Sequence, residues 1–153
     1  MEKRRRLRLT GYALLTVAVM AAIFILSSQT ADESSMLSEG FLDTALGRFL
    51  AHILPGITGS GIFTDIRKYA HMFEYFCLGI SSALYFFELM RGKYAGPFLY
   101  SAGLSVLYAC TDEWHQTFVP GRSGMIADVG IDFIGILFGV SAILTVTKLQ
   151  SKK

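Results

Sequence analysis

Residues 10–26 read TGYALLTVAVMAAIFIL, and this run without a charged side chain decides the class of fold. A helix needs about 20 mainly apolar residues to cross a bilayer, and this run nearly reaches that length. Five basic residues precede it, as is typical of a cytoplasmic flank: Lys3, Arg4, Arg5, Arg6 and Arg8. A cleaved signal peptide is the competing interpretation, but the run is long for a signal core and the following SSQTADESS offers no convincing cleavage site. We therefore expect a retained membrane helix.

The composition of the whole chain also favours a membrane protein. Hydrophobic residues make up 52% of the 153 residues and charged residues 17%, whereas soluble domains average about 25% charged residues. We predict an all-α fold, an integral membrane four-helix bundle with spans at about residues 10–28, 67–90, 97–115 and 125–147. Because no room remains for a second domain, residues 1–153 are expected to form a single membrane domain.

The connection between the first two predicted helices contains an amphipathic pattern at about residues 37–54. Apolar side chains recur there at helical spacing, opposed by polar ones, and Pro55-Gly56 ends the run. Such a segment lies on the membrane surface or against the bundle. We expect an extra amphipathic helix in the outer loop between helices 1 and 2.

The distribution of basic residues predicts the orientation of the helices. With a cytoplasmic N-terminus, 10 of the 14 Lys and Arg residues fall on the inner side of the membrane. Four crossings then return the C-terminus to the same side, so a multi-pass protein with both termini in the cytoplasm is expected. The N-terminal RRRLR serves this topology and contacts anionic membrane lipids, and no nucleic acid is expected as a partner.

Polar side chains follow one face of three predicted helices and carry their charges to the outer end. Since a charge costs about 2.5–3.5 kcal/mol at the centre of a membrane helix, these groups are expected to face one another. We predict one outward-facing pocket with the following members: His71, Glu74, Asp112, Glu113, His115, Gln116, Arg122, Asp128 and Asp132, joined by Ser27, Ser28 and Gln29. Gly135 and Gly139 on the last helix are expected to allow close helix packing and to carry no chemistry.

Four sequence strings resemble the VanZ-like family of membrane proteins. They are FILSSQ (24–29), RKYAHMFEYFCLG (67–79), DEWHQTFVPGRSGMIADV (112–129) and DFIGILFG (132–139), and together they touch all four predicted helices. The founding member of this family is associated with resistance to the glycopeptide antibiotic teicoplanin. The resemblance therefore implies a resistance-type role in the bacterial envelope, at the cytoplasmic membrane, and no particular reaction. Asp132 departs from the family pattern, in which many members carry Asn.

The pocket leaves two functions open. The first is binding of an amphiphilic ligand at the outer leaflet, such as a lipoglycopeptide antibiotic or a lipid-linked cell-wall intermediate. The second is hydrolysis or group transfer by an integral-membrane enzyme. The candidate catalytic residues are His71, Glu74, Asp112, Glu113 and Asp128, and the candidate ligand-binding residues are Arg67, Gln116, Arg122, Ser28 and Gln29. A small transporter is less favoured, because the inner halves of the helices are nearly free of ionisable residues.

The spacing of His71 and Glu74 leaves the chemistry of the pair open. One helical turn separates them, which suits a metal-ligating pair, an acid–base pair or a purely structural pair. The chain has no zinc signature such as HExxH, and no cofactor is assigned. Arg122 precedes the last helix and is expected either to hold a phosphate or carboxylate together with the helix N-terminal amides, or to neutralise nearby carboxylates.

Overall fold

The computed structural model describes residues 2–44, 48–49 and 66–151. Within these ranges the chain forms five helices and no strand, which confirms the predicted all-helical class. The helices are α1 (Glu2–Ser27), α2 (Ala31–Leu42), α3 (Ile66–Leu89), α4 (Ala95–Gln116) and α5 (Ile126–Gln150). α1 begins well before the predicted span, because the basic residues that precede the apolar run continue the same helix.

Three of the described helices are long and apolar enough to cross a membrane, and they identify a membrane protein. They are α1, residues Arg67–Leu89 of α3, and α5. α4 has 22 residues but is not among them, because serines and acidic residues make it more polar. Its buried face carries Ser101, Ser105, Asp112 and Glu113, so the polar side of α4 points into the protein.

Glycines bring α3 and α5 together at backbone distance. A Cβ atom added at Gly135 would lie 2.1 Å from the carbonyl oxygen of Met72, and one at Gly139 would lie 2.3 Å from that of Phe76. No side chain fits at either position unless the two helices separate. The predicted packing role of these glycines is confirmed, and α3 and α5 share the most extensive contact among the described helix pairs.

The core between the long helices combines apolar packing with hydrogen bonds. Its fully buried apolar side chains include Ile23, Leu78, Ala109 and Ile136. The hydroxyl group of Tyr108 on α4 donates a 2.6 Å hydrogen bond to the carbonyl oxygen of Met20 on α1. The hydroxyl groups of Ser82 and Ser105 lie 3.3 Å apart and join α3 to α4. Such contacts fix how the helices are rotated against one another, because lipid offers no competing partners.

The two ends of the fold carry different groups. Arg8 of α1 pairs with Glu88 at the end of α3 at 3.4 Å, and the hydroxyl group of Tyr94 lies 3.0 Å from that of Ser151. The start of α1, the turn between α3 and α4 and the end of α5 therefore share one end. The opposite end, which we call the polar end, is formed by the last turns of α1 and α4 and the first turns of α3 and α5.

α2 begins at Ala31 and not at about residue 37, because a capping box precedes it. The hydroxyl group of Thr30 accepts a hydrogen bond from the backbone N–H of Glu33 (3.3 Å), and the Glu33 carboxylate accepts one from the backbone N–H of Thr30 (2.9 Å). This second bond lowers the pKa of Glu33. Because α2 ends at Leu42, the predicted helix over about 37–54 is not continuous, and residues 45–47 and 50–54 of it lie outside the described residues.

The loop before α5 is fastened to the start of α2. The backbone N–H of Ala31 donates a 3.3 Å hydrogen bond to the carbonyl oxygen of Pro120. Gly121 follows with a φ of 75°, and a Cβ atom there would lie 2.9 Å from the Cβ of Ala31. Only glycine meets both demands at this position. The contact places α2 at the polar end.

Candidate functional site

Two neighbouring cavities occupy the polar end. The larger has a volume of about 230 Å³ and lies between α3, α4, α5 and the loop before α5. The smaller has a volume of about 170 Å³ and lies between the end of α1, α2 and α3. Arg67, His71 and Arg122 line both of them, so these three side chains stand at the boundary between the cavities.

An ion pair crosses the wall of the larger cavity. The amino group of Lys68 on α3 donates a 2.8 Å hydrogen bond to Oδ1 of Asp128 in the first turn of α5. About a quarter of each side chain is exposed. The carboxylate of Asp128, a candidate catalytic group, is thus already engaged by a lysine.

Glu113 on α4 accepts a hydrogen bond from the backbone at the start of α5. Its carboxylate oxygen Oε2 accepts a 2.9 Å hydrogen bond from the backbone N–H of Met125, which directly precedes α5. Helix N-termini expose such N–H groups, and an acidic side chain is a preferred partner for them. A Cβ atom at Gly124 would lie 2.4 Å from the carbonyl oxygen of Glu113, so glycine permits the close approach. One amide expected to hold an anion beside Arg122 is therefore occupied.

Arg122 reaches from the loop into the space between the helices. Its Nη1 donates to Oε1 of Gln116 at 3.4 Å and its Nη2 to the carbonyl oxygen of Leu26 at 3.5 Å. Both distances are at the long limit for hydrogen bonds. Its buried Nε has no hydrogen-bond partner among the described residues.

Two effects lower the pKa of Arg122. The larger is its burial, and the charge of nearby Arg67 adds to it. A guanidinium nevertheless remains charged at neutral pH. Among the described residues Arg122 donates no hydrogen bond to a carboxylate, so the expected neutralisation of nearby acids is not made by direct contact.

Asp112 lies between α1 and α4 and lines neither cavity. Only 3% of this residue is exposed. Its Oδ2 accepts a 2.9 Å hydrogen bond from the hydroxyl group of Ser27 and a 3.0 Å hydrogen bond from Nε2 of Gln116. In this position the carboxylate joins two helices, and Gln116 connects it onward to Arg122.

His71 and Glu74 lie on the same face of α3. Nδ1 of His71 and Oε2 of Glu74 are 4.0 Å apart, which is too long for a hydrogen bond. His71 lines both cavities, whereas Glu74 lines only the smaller one. Within the described part of the chain, no three His, Cys, Asp or Glu side chains are grouped so that they could hold a metal ion.

The remaining members of the predicted pocket separate into two groups. Gln29 lines the smaller cavity and Asp132 the larger one. Ser28 directly follows α1, is exposed and donates a 2.6 Å hydrogen bond to the carbonyl oxygen of Phe24 one turn earlier, so the structure does not bring it to either cavity. The ring of His115 lies 4.7 Å from that of Phe24 and also lines neither cavity.

Lys68, Ser34 and Leu37 are among the lining residues that the sequence did not single out as site residues. Lys68 lies three positions before His71, and this one-turn spacing could have placed it on the site face. Ser34 and Leu37 line the smaller cavity because α2 begins at Ala31. Recognising the Thr30–Glu33 capping box in the sequence would have indicated this earlier start.

The family model described as VanZ/LLP1 matches residues 12–147, nearly the whole chain. No curated protein and no solved structure matches.

Proposed function

The chain belongs to the VanZ/LLP1 family, and on this premise we propose that it binds an amphiphilic ligand in the bacterial cell envelope. The ligand is a lipoglycopeptide antibiotic or a lipid-linked cell-wall or lipid molecule, and the role is of the resistance type. α1, α3, α4 and α5 form a four-helix bundle across the cytoplasmic membrane, with α2 in the outer loop. Both termini lie in the cytoplasm, and the two cavities face the outer leaflet.

The observation that carries this proposal is the position of Arg67, His71 and Arg122 on both cavities. A charged headgroup held by the two guanidinium groups has a polar cavity on one side. On the other side, the smaller cavity is lined by the exposed apolar residues Leu26 and Leu37. Adjacent charged and apolar surfaces match a molecule that carries a charged headgroup on an apolar chain.

The volumes of the cavities limit how much of a ligand can be inserted. Pockets for whole drug-sized molecules measure roughly 300–1,000 Å³, and the larger cavity has about 230 Å³. A headgroup fits, whereas the rest of a lipid or glycopeptide remains in the bilayer or at the surface.

Binding is favoured over hydrolysis or group transfer by what the candidate catalytic groups contact. Glu113 bonds to the N–H of Met125, and Asp128 bonds to Lys68. Asp112 lines neither cavity. A general acid or base must lie within hydrogen-bond distance of the reacting atoms. Glu113 and Asp128 are already hydrogen-bonded to protein groups, and Asp112 lies outside both cavities, so none of the three is placed for this role.

A polyprenyl phosphate in a neutral detergent is a suitable probe, with binding measured by native mass spectrometry on the full chain. Arg122→Gln should weaken binding at least tenfold. Arg122→Lys should lie between this variant and the wild type, because a point charge does not replace a two-pronged contact. Lys148→Gln, at the other end of the fold, is the matched control and should bind like the wild type. Equal binding by all four proteins would place the ligand elsewhere, and no binding by the wild type would refute the proposal.

A further inference from the structure

The larger cavity is lined by both signs of charge in equal number. Its basic side chains are Arg67, Lys68 and Arg122, and its acidic side chains are Glu113, Asp128 and Asp132. An anion without a positive group would meet three carboxyl groups as well as three cations. A headgroup that itself carries both charges suits such a lining better, because each of its charges finds an opposite partner.

Asp132 is the acidic group of this lining that has no hydrogen-bond partner among the described residues. Glu113 accepts the N–H of Met125, and Asp128 accepts the amino group of Lys68. Asp132 is only 1% exposed, and neither of its carboxylate oxygens has a hydrogen-bond partner among the described residues. Buried polar groups are almost always hydrogen-bonded, and a ligand donor in the cavity would satisfy both oxygens.

The same cavity also contains a positively charged group, the guanidinium of Arg122. The Nε of Arg122 is buried and has no hydrogen-bond partner among the described residues, while its other nitrogens make only the long contacts to Gln116 and Leu26. A guanidinium can hold a phosphate through paired N–H donors. The cavity thus offers the carboxyl group of Asp132 and the Nε–H of Arg122, each without a hydrogen-bond partner among the described residues.

We infer that the larger cavity receives a headgroup with a protonated primary amine next to a phosphate, the amine at Asp132 and the phosphate at Arg122. This inference rests on the proposed binding of an amphiphile and names the chemistry of its headgroup. A primary ammonium carries three N–H donors, so it can bond to both carboxylate oxygens of Asp132. A metal ion is a poorer occupant, because no three His, Cys, Asp or Glu side chains are grouped to hold one within the described residues.

The test compares two lipids with identical acyl chains on the full chain in neutral detergent, by native mass spectrometry. Phosphatidylethanolamine carries the amine and the phosphate, and phosphatidylglycerol carries the phosphate alone. The wild type should bind the amine lipid at least fivefold more tightly. In Asp132→Asn, which keeps the shape of the side chain, the ratio of the two affinities should fall to about one. Because the ratio is measured within one preparation, it does not depend on how much of the variant folds.

Asp32→Asn is the matched control. Asp32 is exposed on α2 and lines neither cavity, so this variant should keep the wild-type ratio. Equal binding of both lipids by the wild type would overturn the inference and leave the proposed function standing. Failure to bind either lipid or the polyprenyl phosphate would overturn the proposed function itself. A full preference retained by Asp132→Asn would also overturn the inference.

A final arm identifies the source of the headgroup. Soluble O-phosphoethanolamine carries the same charges without the acyl chains. If it displaces the amine lipid at a similar concentration, the headgroup alone is recognised and a water-soluble ligand supplies it. If displacement needs a concentration at least a hundredfold higher, the lipid chain contributes to binding and the membrane supplies the ligand. Either result supports the charge pairing, whereas displacement at the same concentrations by glycerol phosphate, which lacks the amine, would contradict it.

Discussion

The hydroxyl group of Ser27 donates a 2.9 Å hydrogen bond to Oδ2 of Asp112, and this contact joins the end of α1 to α4. We expect Ser27→Ala to lower the free energy of unfolding by roughly 1 kcal/mol, as is usual for hydrogen bonds between membrane helices. Detergent-induced unfolding followed by circular dichroism measures this change. The hydroxyl group of the neighbouring Ser28 bonds to the carbonyl oxygen of Phe24 one turn earlier and, among the described residues, to no other helix, so Ser28→Ala is the control and should leave stability unchanged. Equal losses in the two variants would show that the contact between the helices adds nothing.

Gly135→Ala should destabilise the pairing of α3 with α5. The added methyl group meets the carbonyl oxygen of Met72, and forcing extra atoms into a packed contact typically costs about 1–3 kcal/mol. Gly130→Ala, on the same helix with open space around it, is the control and should be neutral or slightly stabilising. Thermal unfolding in detergent compares the two. A Gly135→Ala protein as stable as the control would contradict the close contact.

The polar end should face the outside of the cell. We replace Cys77 and Cys110 by serine and introduce a single cysteine at Ser123 or at Lys93, which are exposed at opposite ends. A thiol reagent that cannot cross the membrane should label the cysteine at 123 in intact cells and the one at 93 only after lysis. The basic residues at the start of α1, which share an end with Lys93, are the physical reason. The reverse labelling pattern would place the cavities in the cytoplasm.

Glu74→Gln separates binding from acid–base catalysis. The amide keeps the size and hydrogen-bonding capacity of the carboxyl group but removes its charge. If the cavities only bind a ligand, the variant should insert normally and lose less than about tenfold in affinity, or 1.4 kcal/mol. A catalytic acid or base would instead lose about a hundredfold or more in rate. Glu88→Gln, at the other end of the fold, controls for the loss of one charge, and a resistance assay alongside the binding assay distinguishes the two outcomes.

The sequence predicts the long helices well because crossing a membrane imposes both a length and a composition. The bounds of α3, α4 and α5 lie within about three residues of the predicted spans. The start of α2 could not be predicted in this way, because it depends on local capping hydrogen bonds at Thr30 and Glu33 and not on an apolar repeat. Hydrophobic periodicity carries no information about such a cap.

The polar faces of the three predicted helices indicate which sides of the helices meet, but not which side chains pair with one another. Lys68 and Asp128 are 60 positions apart and pair across two helices, while Asp112 turns to Ser27 and away from the cavities. Such choices depend on how far each helix is rotated and how closely it approaches its neighbour. Those quantities are fixed by contacts such as Gly135 against Met72, which no single stretch of sequence displays.

Because α3 and α5 touch at backbone distance, the cavity walls at the polar end differ in how readily substitutions can reshape them. Substitution at Gly135 or Gly139 cannot reshape the wall that these two helices form without separating them, because any added side chain would meet the backbone of α3. α4 and the loop before α5 complete the larger cavity, and the end of α1 and α2 complete the smaller one. The loop and α2 are joined by the hydrogen bond between Ala31 and Pro120. Apart from the charge that Asp132 supplies, changes in the size and shape of the accepted ligand should therefore arise from substitutions in these other walls, so an engineer who wishes to alter them should begin there.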